Sequence, residues 1–150
     1  MWPIIYSHEN FFMSEQDECS TKADDESLSS SSSSSVILLY TSMPANSVVG
    51  GNQRFVRQAF LGRNIKLQEI DGMCPESKET RDELFGVSNL RGKYPQVFVK
   101  VRGETTFVGD FEKINELNDC ETLPPEILQA HPHIETFSKV FERFLPPPPP

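Results

Sequence analysis

Val36, Ile37, Leu38, Leu39 and Tyr40 form an unbroken apolar, β-favouring run, and nothing else in the chain limits its fold as tightly. A strand that is apolar throughout reads as one covered on both faces, as in a mixed or parallel sheet. The run ends in a corner of Met43, Pro44, Ala45 and Asn46. Beyond it, residues 47–61 read as a helix with Val48, Phe55, Val56, Ala59 and Phe60 as its apolar positions and Gly62 as its stop. Residues 65–70 form a second strand, Asp71 and Gly72 turn the chain, and Pro75 opens a short helix to residue 85 that Gly86 ends. Two strands, 96–101 and 105–108, flank Arg102, Gly103 and Glu104 as a hairpin, and Asp110 caps a helix carrying Phe111, Ile114 and Leu117. The predicted order is strand, helix, strand, helix, strand, strand, helix: an α/β domain.

The chain has 150 residues, and 37% apolar content is low for a chain packed from end to end. Residues 1–35 hold seven acids (Glu9, Glu15, Asp17, Glu18, Asp24, Asp25, Glu26) against the one base Lys22, so −6 of the net −8 belongs to this arm. With its serine run from Ser29 to Ser35, the arm is too poor in apolar side chains to offset the entropy of ordering and reads as disordered. Its Ser and acid mixture, Thr21 with Asp24 three residues on, suits acid-directed kinases; a solvating linker is the plainer reading. A nearly neutral remainder argues against nucleic acid, which needs clustered Lys and Arg. Cys19, Cys74 and Cys120 show neither paired nor metal-like spacing, so no disulfide framework and no metal site is expected. The segment 1–13 lacks a basic n-region, and no stretch reaches the roughly 18 apolar residues needed to cross a bilayer. A cytoplasmic location without membrane association is the expectation.

Toward the C-terminus, Ile134, Phe137, Phe141 and Phe144 recur at helical spacing, which predicts an amphipathic helix docked on the domain; self-association is the other use of such a stripe. His131 and His133 flank Pro132 without a third metal ligand. Arg143, Leu145, Pro146 and Pro149 lie in an Arg-x-x-Pro-x-x-Pro arrangement that ends in five prolines. Such runs adopt the polyproline II helix with three residues per turn, which sets Pro146 and Pro149 on one edge and leaves Arg143 to meet an acid. SH3 domains take that pattern, EVH1 domains take a Leu followed by prolines, and profilin-type proteins take bare polyproline. An inert extension is the alternative.

Residues 36–120 resemble the glutaredoxin family, most closely the SH3-domain-binding glutamic-acid-rich protein-like branch. The resemblance rests on residues 36–42, on Leu67 to Asp71, on Tyr94 to Val99 and on Phe107 to Phe111, in the family's order and spacing. It implies a thioredoxin-like (glutaredoxin-type) three-layer fold with a four-stranded mixed sheet, here with a disordered arm at 1–35, an extra C-terminal helix within 121–144 and a polyproline tail at 145–150. It also implies a cis Pro95, with the Tyr94 backbone where that family pairs with the cysteine of glutathione. Gly109 and Asp110 fall where it holds the γ-glutamyl end; a simple turn and N-cap is the other reading of that pair.

The departures from the family decide the chemistry. Met43 and Asn46 stand where active relatives carry Cys-x-x-Cys, and neither a thioether nor an amide can supply the thiolate that a helix N-terminus would stabilise. The branch's own proline-rich motif shrinks here to Pro95 alone. The expected function is a non-catalytic adaptor that binds partners through its proline tail, with no catalytic residue and no cofactor unless the groove retains glutathione. The alternative is a glutathione-dependent oxidoreductase or sensor working through Cys74 or the groove.

Overall fold

Alternate residues of a strand face opposite ways, so an apolar run builds two cores at once. In the structure, a computed structural model that describes residues 33–150, β1 (Ser35–Tyr40) does this at the centre of the sheet. It pairs in parallel with β2 (Leu67–Asp71) and antiparallel with β3 (Gln96–Val101), which in turn pairs antiparallel with β4 (Glu104–Asp110). The result is a four-stranded mixed sheet in the order β2-β1-β3-β4. Val36 and Leu38 meet α1 (Ser47–Leu61) and α3 (Phe111–Glu121) through Val56, Phe60, Ile114 and Leu117. Ile37 and Leu39 meet α2 (Lys78–Ser88) on the other face through Leu84 and Phe85, with Ile70 and Phe98 beside them. The acidic arm up to residue 32, with Cys19, Thr21 and the apolar residues of segment 1–13, lies outside the described residues.

Several boundaries differ from the sequence expectations for local reasons. β1 starts at Ser35, one residue before the expected domain edge, and β2 starts at Leu67 because Ile65 is spent on the turn, its N–H bonded to the Phe60 carbonyl. The left-handed residue after α1 is Asn64 (φ 55), whereas Gly62 keeps helical angles. Gly86 does not end its helix: α2 runs on to Ser88 and stops at Asn89 (φ 58), since buried Leu84 and Phe85 hold the turn that contains the glycine. The hairpin turn is only Arg102 and Gly103, both at positive φ (53 and 85), the two-residue geometry whose twist matches the flanking strands.

The C-terminal segment is not one helix. It divides into α4 (Pro125–Ala130), α5 (Phe137–Val140) and a 3-10 turn (Glu142–Phe144). Pro132 is the cause, because it has no N–H to donate and drives His131 out of helical angles, to φ −126 and ψ 71. The aromatic stripe still docks. Phe137 and Phe141 are fully buried, each edge-on to Phe60 at 4.8 Å, a geometry worth about 0.5–1.5 kcal/mol per pair beyond area burial. Arg63 stacks on Phe137 at 4.1 Å while donating to the Ala59 carbonyl and to Asn118 Oδ1. Ser138 donates from both N–H and hydroxyl to the Glu121 carboxylate, fastening α5 to α3.

Candidate functional site

β1, β2 and β4 finish at one end of the sheet, and β3 begins there: Tyr40 pairs with Asp71, and Gln96 lies between Leu39 and Asp110. One further step of the antiparallel register sets Pro95 beside Tyr40. The corner at residues 43–46 therefore leaves the sheet where the proline segment enters it. The Tyr94–Pro95 peptide bond is cis, the isomer the resemblance implied.

The corner is built from its own hydrogen bonds. Gln53, buried on α1, accepts from the Thr41 N–H at 2.8 Å and donates to the Thr41 carbonyl at 3.1 Å, so that one amide closes both backbone groups. Asp71 Oδ1 accepts from the N–H groups of Ser42 (3.0 Å) and Met73 (2.9 Å), tying the end of β1 to the end of β2. Asn46 is extended and its Oδ1 accepts from the Val49 N–H at 3.0 Å, which makes it the N-cap of α1. Met43 projects outward, 72% exposed.

Pro95 is buried and Tyr94 half-buried. The Tyr94 ring packs edge-on against Phe85 and lies over Gly72, where a Cβ would come within 2.2 Å of its Oη. Burial, with Asp71 and Asp82 adding to it, raises the Tyr94 hydroxyl above its ordinary 10.0, and burial likewise raises Tyr40, so both stay protonated. Among the described residues, neither the N–H nor the carbonyl of Tyr94 has a backbone partner. The loop before it is held by Gln96, whose Nε2 donates to the Leu90 and Lys93 carbonyls at 2.6 Å each.

Asp110 Oδ1 caps α3 by accepting from the Lys113 N–H at 3.3 Å, and Oδ2 pairs with Lys93 across the proline segment. Burial pushes this carboxyl up, but the Lys93 and Lys113 hydrogen bonds outweigh burial and hold it below its ordinary 3.8. Lys93 is raised by the same contact. Beside the cap, Gly109 lies against Lys113, whose Cβ would stand 2.4 Å from an added Cβ.

The structure thus gathers Tyr94, Pro95, Gly109 and Asp110 at one end, and the tail residues elsewhere. Arg143 is exposed at the far end of the sheet, Leu145 packs in part on the core, and Pro146 and Pro149 are exposed. Cys74, 3% exposed, is disulfide-bonded, a pairing the cysteine spacing did not disclose, so it presents no free thiolate. The His131 and His133 rings lie 5.6 Å apart, and the described residues contain no group of three metal-ligating side chains. No helix among the described residues is long and apolar enough to cross a membrane.

Sequence reasoning missed Gln53, Asp71, Lys93 and Gln96. Gln53 had a readable signal, a polar residue three and seven positions before Val56 and Phe60 on the core-facing stripe of α1. The other three depend on contacts between segments. The chain matches no protein-family model and no curated protein.

Proposed function

We propose that this chain is a non-catalytic, glutaredoxin-like adaptor of the SH3-domain-binding glutamic-acid-rich protein-like kind, whose exposed proline tail is the ligand for a partner domain. A βαβ half followed by a ββα half, in the order β2-β1-β3-β4 with a cis proline opening β3, supports the thioredoxin-like assignment. One observation supports the loss of catalysis: at the corner before α1 an exposed thioether, Met43, stands at the nucleophile's position, and Asn46, at the resolving position, uses its Oδ1 to accept the Val49 N–H as an ordinary cap. A side chain that satisfies the helix end and has no ionisable proton leaves no attacking group there.

The tail reading favours SH3 over EVH1 recognition. Leu145, the anchor an EVH1 domain would need, packs in part on the core, whereas Arg143, Pro146 and Pro149 are exposed. Leu145 has φ −69 and ψ 142, so the chain enters polyproline II geometry at the residue before the prolines. The open Tyr94 backbone favours a second reading in which the groove still takes glutathione, although both Asp110 oxygens are already engaged.

Two measurements decide between these readings. Reduction of a glutathionylated substrate is expected to stay at background; turnover that disappears in Cys74→Ser overturns the adaptor. SH3 domains titrated with the full chain are expected to bind, and to bind at least tenfold more weakly to Arg143→Ala with Pro149→Ala, the loss of one charge-assisted contact being worth about 1.5–3 kcal/mol.

A further inference from the structure

A cavity of about 500 Å³ opens at the end of the sheet where β1 and β2 begin, one strand length, roughly 17 Å, from the Tyr94 end. Its size falls in the range of about 300–1,000 Å³ typical of small-molecule sites. Lys66 and Arg143 line it, and no acid does. Both cations are exposed, and neither forms an ion pair among the described residues, although acids outnumber bases 22 to 14 in the chain. The rest of the lining mixes apolar and neutral polar groups: Ile65 is buried, Leu67 and Phe144 pack in part against the core, and Ser34, Ser35, Asn64 and Gln68 supply hydroxyls and amides.

Two cations lining one partly apolar hollow select a particular ligand chemistry. A bare inorganic anion gains nothing from Leu67 and Phe144, and a neutral apolar molecule gains nothing from the charges. We infer that this cavity binds a small amphipathic anion, with a phosphate or carboxylate head against Lys66 and Arg143 and a short aromatic or aliphatic stem over Leu67 and Phe144. The two cations come from distant segments, the approach to β2 and the 3-10 turn after α5, so the site exists only because the C-terminal segment docks. It shares Arg143 with the proline-tail reading but does not rest on it, since no partner domain takes part in its test and Pro149 plays no role in it.

The experiment is an NMR titration of the full chain with phenyl phosphate at low ionic strength, where exposed charges are least screened. Inorganic phosphate and benzyl alcohol serve as the two half-ligands. The expected result is saturable shifts at Asn64, Leu67 and Phe144, with phenyl phosphate binding about tenfold more tightly than either half. Lys66→Gln with Arg143→Gln is expected to weaken it by a further tenfold or more, about one charge-assisted hydrogen bond or better. Lys66→Arg with Arg143→Lys, which keeps both charges, retains saturable binding and shows that folding is not what was lost. The inference is overturned by any of three results: no saturable shift at millimolar concentration, equal binding of inorganic phosphate, or unchanged binding in the double Gln variant.

Discussion

The two ends of the sheet treat their polar groups in opposite ways. Where β1, β2 and β4 finish, Gln53 closes the Thr41 backbone, Asp71 binds two N–H groups, and Asp110 joins α3 to Lys93. Where β1 and β2 begin, Lys66 and Arg143 face a cavity with no carboxylate in its walls. A hydrogen-bonding group satisfied inside the protein contributes to stability; one left open is available to something else. Among the described residues the corner is thus a structural joint whose open groups are neutral, the Tyr94 backbone and the buried Gln96 Oε1, and the spare capacity for charge lies at the other end. If this contrast is real, substitutions at the corner cost folding energy, and substitutions at the cavity cost almost none.

The largest effect is expected at Gly109. An alanine there places its Cβ 2.4 Å from Lys113 Cβ and 2.6 Å from Cγ, and a Cβ beside the helix backbone cannot swing away as a side-chain tip does. Gly109→Ala is expected to lower stability by about 3 kcal/mol in urea unfolding, the upper range for overpacking. A loss under about 1 kcal/mol would show that β4 and α3 give way freely and that this end is less rigidly joined than described.

What was legible in the sequence follows the same division between local and distant causes. The bounds of α1, the order of the sheet elements and the Asp110 cap depend on residues within one turn or one strand, and the structure has them as read. The single C-terminal helix was misread because a three-four-three aromatic spacing says that a face is apolar, not that the backbone between is continuous; Pro132 decided that. The stop at Gly86 failed because packing of its neighbours outweighed glycine's weak helix preference. At the candidate site, the cis bond came from the resemblance and not from composition. Gln96 and Lys93 could not be placed, since which polar side chain is buried against which loop is settled by tertiary contact. The cavity was illegible for the same reason: Lys66 and Arg143 meet only after the chain has folded.

The corner itself is tested next by Gln53→Ala, which leaves the N–H and carbonyl of a buried Thr41 without their side-chain partner. Stranding buried backbone groups costs about 1–3 kcal/mol, so a loss near 2 kcal/mol is expected in the same unfolding experiment, with the hydrogen-exchange protection of Thr41 falling alongside it. Asp110→Asn follows at about 1 kcal/mol, and its dependence on pH carries a sign. Asp110 is lowered in the folded state, so its contribution is complete above the unfolded value of 3.8 and is lost as the pH falls through the folded value. The stability gap between wild type and Asp110→Asn is expected to be full at neutral pH and to shrink steadily below 3.8. A gap that stays constant into acid would mean that the Lys93 contact does not hold the carboxylate.

The smallest effect belongs to the other end and carries the contrast. Lys66 and Arg143 are exposed and unpaired among the described residues, so Lys66→Gln and Arg143→Gln remove no internal contact that the fold depends on. Each is expected to change the unfolding free energy by less than about 0.5 kcal/mol, the usual range for surface substitutions away from caps and cores. Two cations that line one cavity only when the C-terminal segment docks, and that contribute nothing to its stability, have no pairing partner among the described residues, which leaves them available to a ligand. A loss of 1 kcal/mol or more on removing either would make them structural, and the two ends of the sheet would then differ in degree and not in kind.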